Sequence, residues 1–145
     1  MGYEEAYVKE GGMILKSESD KRLIIKGQLN GKAAYMLVDT GAVCGLFSKQ
    51  VAKRCALVEN RHRSVNLVGA FGKPIKANMC DTPLMVGGRP MYQFAIADIS
   101  SVVESIKRET GIEIAGLISL PQMRSMGFEI DTDDNYVKVG GLRNG

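Results

Sequence analysis

Charge of one sign, long apolar runs and cysteine are all scarce in this chain. Nineteen Lys and Arg stand against sixteen Asp and Glu, a formal net charge of +3 over 145 residues, and the charges are spread rather than gathered. The densest basic spot, Arg61-His62-Arg63, has no aromatic side chain near it in sequence. The footprint of a nucleic-acid binder is therefore missing. No apolar stretch approaches the roughly 20 residues that span a bilayer. The chain does not open with the basic-then-apolar order of a signal peptide, and Ala6 stands where myristoylation of Gly2 needs Ser or Thr. The chain is expected to be soluble, without a membrane partner, and cytoplasmic rather than secreted.

The three cysteines, Cys44, Cys55 and Cys80, are odd in number and fit no metal-ligand spacing. They read as small buried hydrophobes of a reducing compartment. A Cys nucleophile served by His62 lacks supporting context in sequence. Asp131, Asp133 and Asn135 imitate the first ligand positions of a calcium loop. Tyr136 stands where that loop needs Gly, however, and Leu142 where it needs a bidentate Glu. A solvated hairpin turn is the simpler reading. No metal and no cofactor are expected.

The 45% apolar and 24% charged residues are ordinary for a globular protein, and the length suits one domain that buries about two-thirds of its unfolded surface. Residues 1–20 read as a polar N-terminal arm, with Met13-Ile14-Leu15 as a short edge strand. Residues 21–139 form the domain, and 140–145 a flexible tail. Leu23–Leu29 and Lys32–Val38 flank Asn30-Gly31, the strongest short hairpin signal. Ser48 is placed to cap a short helix from Lys49 to Cys55. Val65–Val68 and Pro74–Ala77 flank Gly69-Ala70-Phe71-Gly72 as a second hairpin, and Thr82–Val86 and Met91–Ile99 flank Gly87-Gly88 as a third. Ser100–Glu109 carries Val102, Val103 and Ile106 at helical spacing and is closed by Gly111. Ile112–Ile118 suits a buried strand, and Pro121 can open a helix from Leu120 to Met126. Phe128–Asp131 and Tyr136–Val139 make a last hairpin. The class is mostly β, with two or three short helices.

Asp39-Thr40-Gly41 follows the apolar run Tyr35-Met36-Leu37-Val38. It puts a carboxylate on a tight turn at a strand end, beside a hydroxyl able to fix its orientation. Asp, Thr and Gly are all turn formers, so the triplet alone also fits an ordinary turn. Its surroundings separate the two readings. Hairpin, Asp-Thr-Gly and helix in the first half are echoed by hairpin, Ile114-Ala115-Gly116 and helix in the second, without a second Asp. The triplet occurs once, so a catalytic carboxylate at this place would find its partner in a second copy of the chain.

The run Met36–Ala42, the hairpin before it, and Ile114–Leu120 continuing to Asp131 resemble the retropepsin-like aspartic proteases, in their bacterial or phage-like form. The resemblance covers about Leu23 to Val139. It implies a closed, barrel-like β fold and a homodimeric endopeptidase with Asp39 from each copy at a two-fold axis. Thr40 would lock the two loops, and Gly41 would let backbone approach the carboxylate. Ala42 would line the substrate loop, and Gly69, Ala70, Phe71 and Gly72 would form a flap over an extended peptide. Gly116 would be structural beside the site. Ser119 and Pro121 depart from the family's usual sequence, and Ser100–Gly111 is longer than in the minimal viral enzymes. A catalytically silent module that binds peptides or dimerises is the alternative.

Overall fold

The computed structural model describes residues 6–9, 12–68 and 74–140. Among the described residues, thirteen strands and three helices follow in the order β1 (Ala6–Lys9), β2 (Gly12–Lys16), β3 (Ile24–Leu29), β4 (Lys32–Val38), β5 (Gly45–Ser48), α1 (Lys49–Arg54), β6 (Glu59–Val68), β7 (Pro74–Cys80), β8 (Leu84–Val86), β9 (Arg89–Met91), β10 (Phe94–Ala97), α2 (Ser100–Thr110), β11 (Gly116–Ile118), α3 (Leu120–Met126), β12 (Phe128–Asp131) and β13 (Tyr136–Val139). The chain is mostly β with short helices, as its sequence suggests.

Local chemistry explains most of these elements. Asn30 and Gly31 both take positive φ, 49° and 81°, the backbone a two-residue hairpin needs to match strand twist. β3 and β4 then pair from Ile24↔Leu37 to Leu29↔Lys32. Ser48 Oγ accepts from the Val51 amide at 3.0 Å and starts α1. α2 ends at Gly111 with φ 78°, and Thr110 Oγ1 donates back to the Ile106 carbonyl at 2.8 Å. α3 opens with a reciprocal capping box between Ser119 and Gln122.

The strands form two sheets, ordered β6-β7-β10-β5-β11-β4-β3-β8-β9 and β1-β2-β13-β12. β6 and β9 are the edges of the larger sheet. Two of its pairings are parallel, β4 with β11 and β5 with β10. The sheets share one core. Leu15, Val137 and Val139 of the smaller sheet pack in the same cluster as Ile25, Met36, Phe47, Phe94 and Ile118 of the larger. The Phe47 and Phe94 rings stack at its centre, centroids 4.1 Å apart. α2 lies elsewhere: its Ile106 packs with Ile24, Leu37, Ile114 and Leu117 in a second cluster.

Four differences from the sequence reading have physical causes. The segment read as an arm carries two strands, and Met13–Leu15 is no edge strand, since β2 pairs with β1 on one side and β13 on the other. The β6–β7 hairpin is longer than expected, and its register shifts between Asn60 and Ser64, so that Arg61, His62 and Arg63 form an irregularity on the sheet edge. The third hairpin breaks after Met91, because Gln93 turns to φ 72° and redirects the chain into β10. Of Ile112–Ile118, only the last three residues are a strand.

β11 is short because it is wedged. Gly116 lies opposite Met36 of β4 and Phe47 of β5, and a Cβ on it would be driven into the Leu46 carbonyl. Backbone is in the way, so β11 itself would have to move. Gly116→Ala is expected to destabilise the fold by about 1–3 kcal/mol, the usual cost of overpacking. A fall in the urea midpoint at unchanged slope measures it.

Candidate active site

β4 ends at Val38, and the chain leaves the sheet with Asp39. Parallel pairing with β11 continues one residue beyond the strand, for the Asp39 amide donates to the Ile118 carbonyl at 3.0 Å. The turn then folds on itself. The Ala42 amide donates to the Asp39 carbonyl at 3.1 Å, and the Gly41 amide donates to Asp39 Oδ1 at 3.0 Å. On the far side the Leu120 amide, in the first turn of α3, reaches the Ala42 carbonyl at 3.2 Å. Residues 39–42 are thus pinned at both ends by the β11–α3 junction.

The carboxylate is oriented by backbone. The hydroxyl of Thr40, the expected orienting group, makes no hydrogen bond among the described residues, and Thr40 is exposed. Gly41 is exposed too, and a Cβ there would meet Asp39 Oδ1 at 3.4 Å. Ala42 is half-buried, and its carbonyl forms the tie to α3. Gly116 is buried two residues before Ile118, the acceptor for Asp39. Asp39, Thr40, Gly41 and Ala42 share one turn, and Gly116 sits in the neighbouring strand opposite Met36, three residues before Asp39. Gly69, Ala70, Phe71 and Gly72 lie outside the described residues; the hairpin that leads to them and away from them is β6–β7.

Apolar side chains are exposed on the loop after the turn and on the β6–β7 hairpin. Val43, four residues after Asp39, is 86% exposed, and Val68 and Ile75, at the far end of the hairpin, are 79% and 56% exposed. Val65 and Leu67 of the same hairpin share one cluster with Cys44 and Leu46 of the loop. Cys44 is half-buried, and burial pushes its thiol above the ordinary range, which makes it a poor nucleophile. Cys55 and Cys80 are buried, and all three thiols are free. Asp131, the false lead for calcium, spends Oδ1 on the amides of Asp133 and Asp134 at 3.0 and 2.8 Å, capping its own hairpin turn.

Gln122 is the residue that the sequence reading missed. It is buried, and its Oε1 accepts from the Ser119 amide at 2.8 Å and hydroxyl at 3.0 Å. Its Nε2 donates to the carbonyls of Tyr92 at 2.8 Å and Gln93 at 3.2 Å. The side chain also fills the space that a Cβ on Gly45 would need. One amide thus holds α3, the Tyr92-Gln93 bend and the start of β5 together. The spacing Ser119-x-x-Gln122 was the available signal.

A second tie crosses the surface from the start of β3 to the end of α2. Arg22 Nε sits 3.0 Å from both Glu109 carboxylate oxygens, and Lys21 Nζ donates to the Glu109 carbonyl at 3.1 Å. The hydrogen bond from Arg22 holds the Glu109 carboxyl below its usual range. A carboxyl lowered in the folded state stabilises it above the unfolded carboxylate range, and that contribution is lost as pH falls through the folded value. Glu109→Gln should therefore lower the thermal midpoint slightly at neutral pH. The deficit should begin to shrink as pH falls through the ordinary glutamate range, disappear only below the lowered folded value, and shrink in high salt, which thermal melts across pH and ionic strength would show.

No protein-family model matches the chain, and no curated protein matches it in sequence. Solved structures do. The retroviral protease-like domain of Ddi1 from Leishmania major superposes with a TM-score of 0.52 at 20% identity, over 85% of this chain and 95% of that one. The EIAV protease complexed with the inhibitor HBY-793 gives 0.57 at 15% identity, over 81% and 99%. A retropepsin-like aspartic protease from Rickettsia conorii gives 0.56 at 17% identity, over 92% and 93%. Such low identities speak for architecture alone, and the architecture of this chain is the retropepsin-like fold.

Proposed function

We propose that the chain is a homodimeric aspartic endopeptidase that acts on extended peptides with a water activated by two Asp39 carboxylates, one from each copy. The observation that carries this reading is the Asp39 turn: one carboxylate per chain, at a strand end, pinned by backbone on both sides within a retropepsin-like fold. A lone carboxylate does not supply both an acid and a base at once. A two-fold contact would place residue 39 opposite its own copy and supply both from one stretch of sequence.

In the proposed step the pair holds one proton, because two carboxylates about 3 Å apart are not both ionised cheaply. Paired carboxylates sharing a proton are the established arrangement in aspartic proteases. The ionised Asp39 takes a proton from water as the water oxygen bonds to the peptide carbon. The protonated Asp39 gives its proton to the carbonyl oxygen, forming a gem-diol. Transfer of a proton to the amide nitrogen then breaks the C–N bond and releases acid and amine. The step needs neither metal nor cofactor. Thr40, whose hydroxyl makes no hydrogen bond among the described residues, would bond across to the second loop, and Gly41 would leave room for substrate beside Oδ1. Ala42 and the segment Gly69-Ala70-Phe71-Gly72 would bound the peptide from below and above, and Gly116 would hold the turn in place.

Asp39→Asn is expected to lower peptide cleavage by about a thousandfold or more with the fold and dimer retained. Circular dichroism and sedimentation, run beside a peptide-library assay, test both halves. Wild-type rates from the variant would refute the assignment. Peptide binding without cleavage by the wild type would indicate the silent module instead.

Shared protonation and shared subunits leave two further signatures. The rate should follow a bell in pH with an acidic to mildly acidic optimum, since the pair titrates in two steps and only the singly protonated form works. The rate per chain should fall on dilution through the dimer dissociation range. A specific rate indifferent to dilution across that range would count against a site built from two copies.

A further inference from the structure

The loop of residues 39–45 meets the stretch 118–122 at three points. The Asp39 amide donates to the Ile118 carbonyl at 3.0 Å, and the Leu120 amide donates to the Ala42 carbonyl at 3.2 Å. The third point is a packing contact, for the Gln122 side chain lies where a Cβ on Gly45 would stand. Ser119 sits between the two residues that bond the turn. Its amide and its hydroxyl both donate to Gln122 Oε1, at 2.8 and 3.0 Å. The side chain that makes the third contact thus also holds the residue that flanks the other two.

Gln122 is fixed from its other side as well. Its Nε2 donates to the Tyr92 and Gln93 carbonyls, at a bend where Gln93 adopts φ 72°. A non-glycine residue costs energy in that conformation and persists only where surrounding structure holds it. The amide is planar, with its acceptor and its donors in fixed relation, and here both ends are bonded. Gln122 is buried, whereas Thr40 and Gly41 in the turn are exposed. The place of the Asp39 carboxylate is therefore set from outside the turn, by a side chain that water does not reach.

We propose that Gln122 is the positioning residue of the Asp39 turn: by holding Ser119 and packing on Gly45 it fixes where the carboxylate stands, and it does so as a neutral amide that needs both its donor and its acceptor. The proposal rests on the endopeptidase reading for its effect on rate, and on the bonds alone for its effect on the turn. A reacting group displaced by about 1 Å costs up to about a hundredfold in rate. Loss of the Gln122 polar atoms should therefore lower kcat by about tenfold to a hundredfold. KM should change little, since Gln122 holds the carboxylate rather than the peptide.

Two substitutions of nearly equal size test this. Gln122→Met keeps the length and loses every hydrogen bond. Gln122→Glu is isosteric: protonated, it still accepts from Ser119 and donates to one carbonyl; ionised, it has no donor and faces two carbonyl oxygens. The groups that face it, Ser119, Gly45 and the backbone of Tyr92 and Gln93, bring no charge to offset this, so burial should raise the range in which it titrates. Amide hydrogen exchange by NMR reads the turn without needing activity. In Gln122→Met the Asp39 and Leu120 amides should exchange about tenfold faster or more. The Val38 amide, one residue earlier and bonded to the Leu23 carbonyl, should keep its rate. Gln122→Glu should match the wild type at acid pH and Gln122→Met once ionised, with kcat following the same course. Unchanged exchange at Asp39 and Leu120 in a folded Gln122→Met would overturn the proposal, as would loosened amides with a wild-type kcat or a loss confined to KM. Equal loss at Val38, or failure of both variants to fold at any pH, would make Gln122 a residue of the fold at large and overturn it too. If Gln122→Met alone does not fold, the same amides in Gln122→Glu decide across its titration. A wild type that cuts no peptide removes the endopeptidase reading separately, and exchange still decides whether Gln122 sets the turn.

Discussion

The wedge of β11 between β4 and β5 is the constraint on which the rest of the molecule depends. Three residues, Gly116, Leu117 and Ile118, pair in parallel with Met36, Leu37 and Val38, and the first two pair antiparallel with Phe47 and Leu46. The strand is saturated on both edges, and the ladder runs one step further to bind the Asp39 amide. A catalytic side chain has to be held within a fraction of an ångström, and rigid elements do this better than loops. Here the turn inherits its position from a strand that has no room to slide. The missing Cβ of Gly116 is what lets that strand approach the Leu46 carbonyl.

The other end of the same strand leads into α3, and this couples the turn to the second half of the domain. Ser119 is at once the residue after β11, the cap of α3 and a partner of Gln122. Breaking that network would leave a buried amide unsatisfied, at about 1–3 kcal/mol. It would also loosen the Leu120–Ala42 bond and the Tyr92-Gln93 bend together. Polar burial of this kind is costly when incomplete and specific when complete. No buried side-chain nitrogen or oxygen among the described residues lacks a partner, so the network falls on the specific side.

How much of this could be read from the chain depended on how local each cause was. The Asn30-Gly31 hairpin, the Ser48 cap, the Gly111 stop and the Asp39 turn are written in neighbouring residues, and the sequence reading placed them. The parallel partnership of β4 and β11 was not read from the sequence, since no residue of Ile112–Ile118 tells where pairing begins. The Gln93 bend was hidden because a glutamine in left-handed backbone has no local signature; only the distant Gln122 amide explains it. β2 was underrated because its neighbours are polar and its burial comes from β13, more than a hundred residues later. The hydroxyl of Thr40 was given an orienting role that the Gly41 amide performs instead, since an amide two residues on reaches Oδ1 by turn geometry alone.

The surroundings of Asp39 also fit the chemistry proposed for it by what they keep away. A carboxylate meant to share a proton with its twin is poorly served by a permanent cation, which would hold it ionised. The charge of Arg22 feels Asp39 only weakly; its hydrogen bond and its main electrostatic attraction go to Glu109. Its Nε lies 3.0 Å from both oxygens of that carboxylate, which commits it to the end of α2. Asp39 Oδ1 accepts from the Gly41 amide, a neutral donor that orients the group. The Arg22–Glu109 pair is exposed and adds little to stability. Its consequence is electrostatic: α2, the helix between β10 and β11, supplies the acid that keeps this guanidinium occupied.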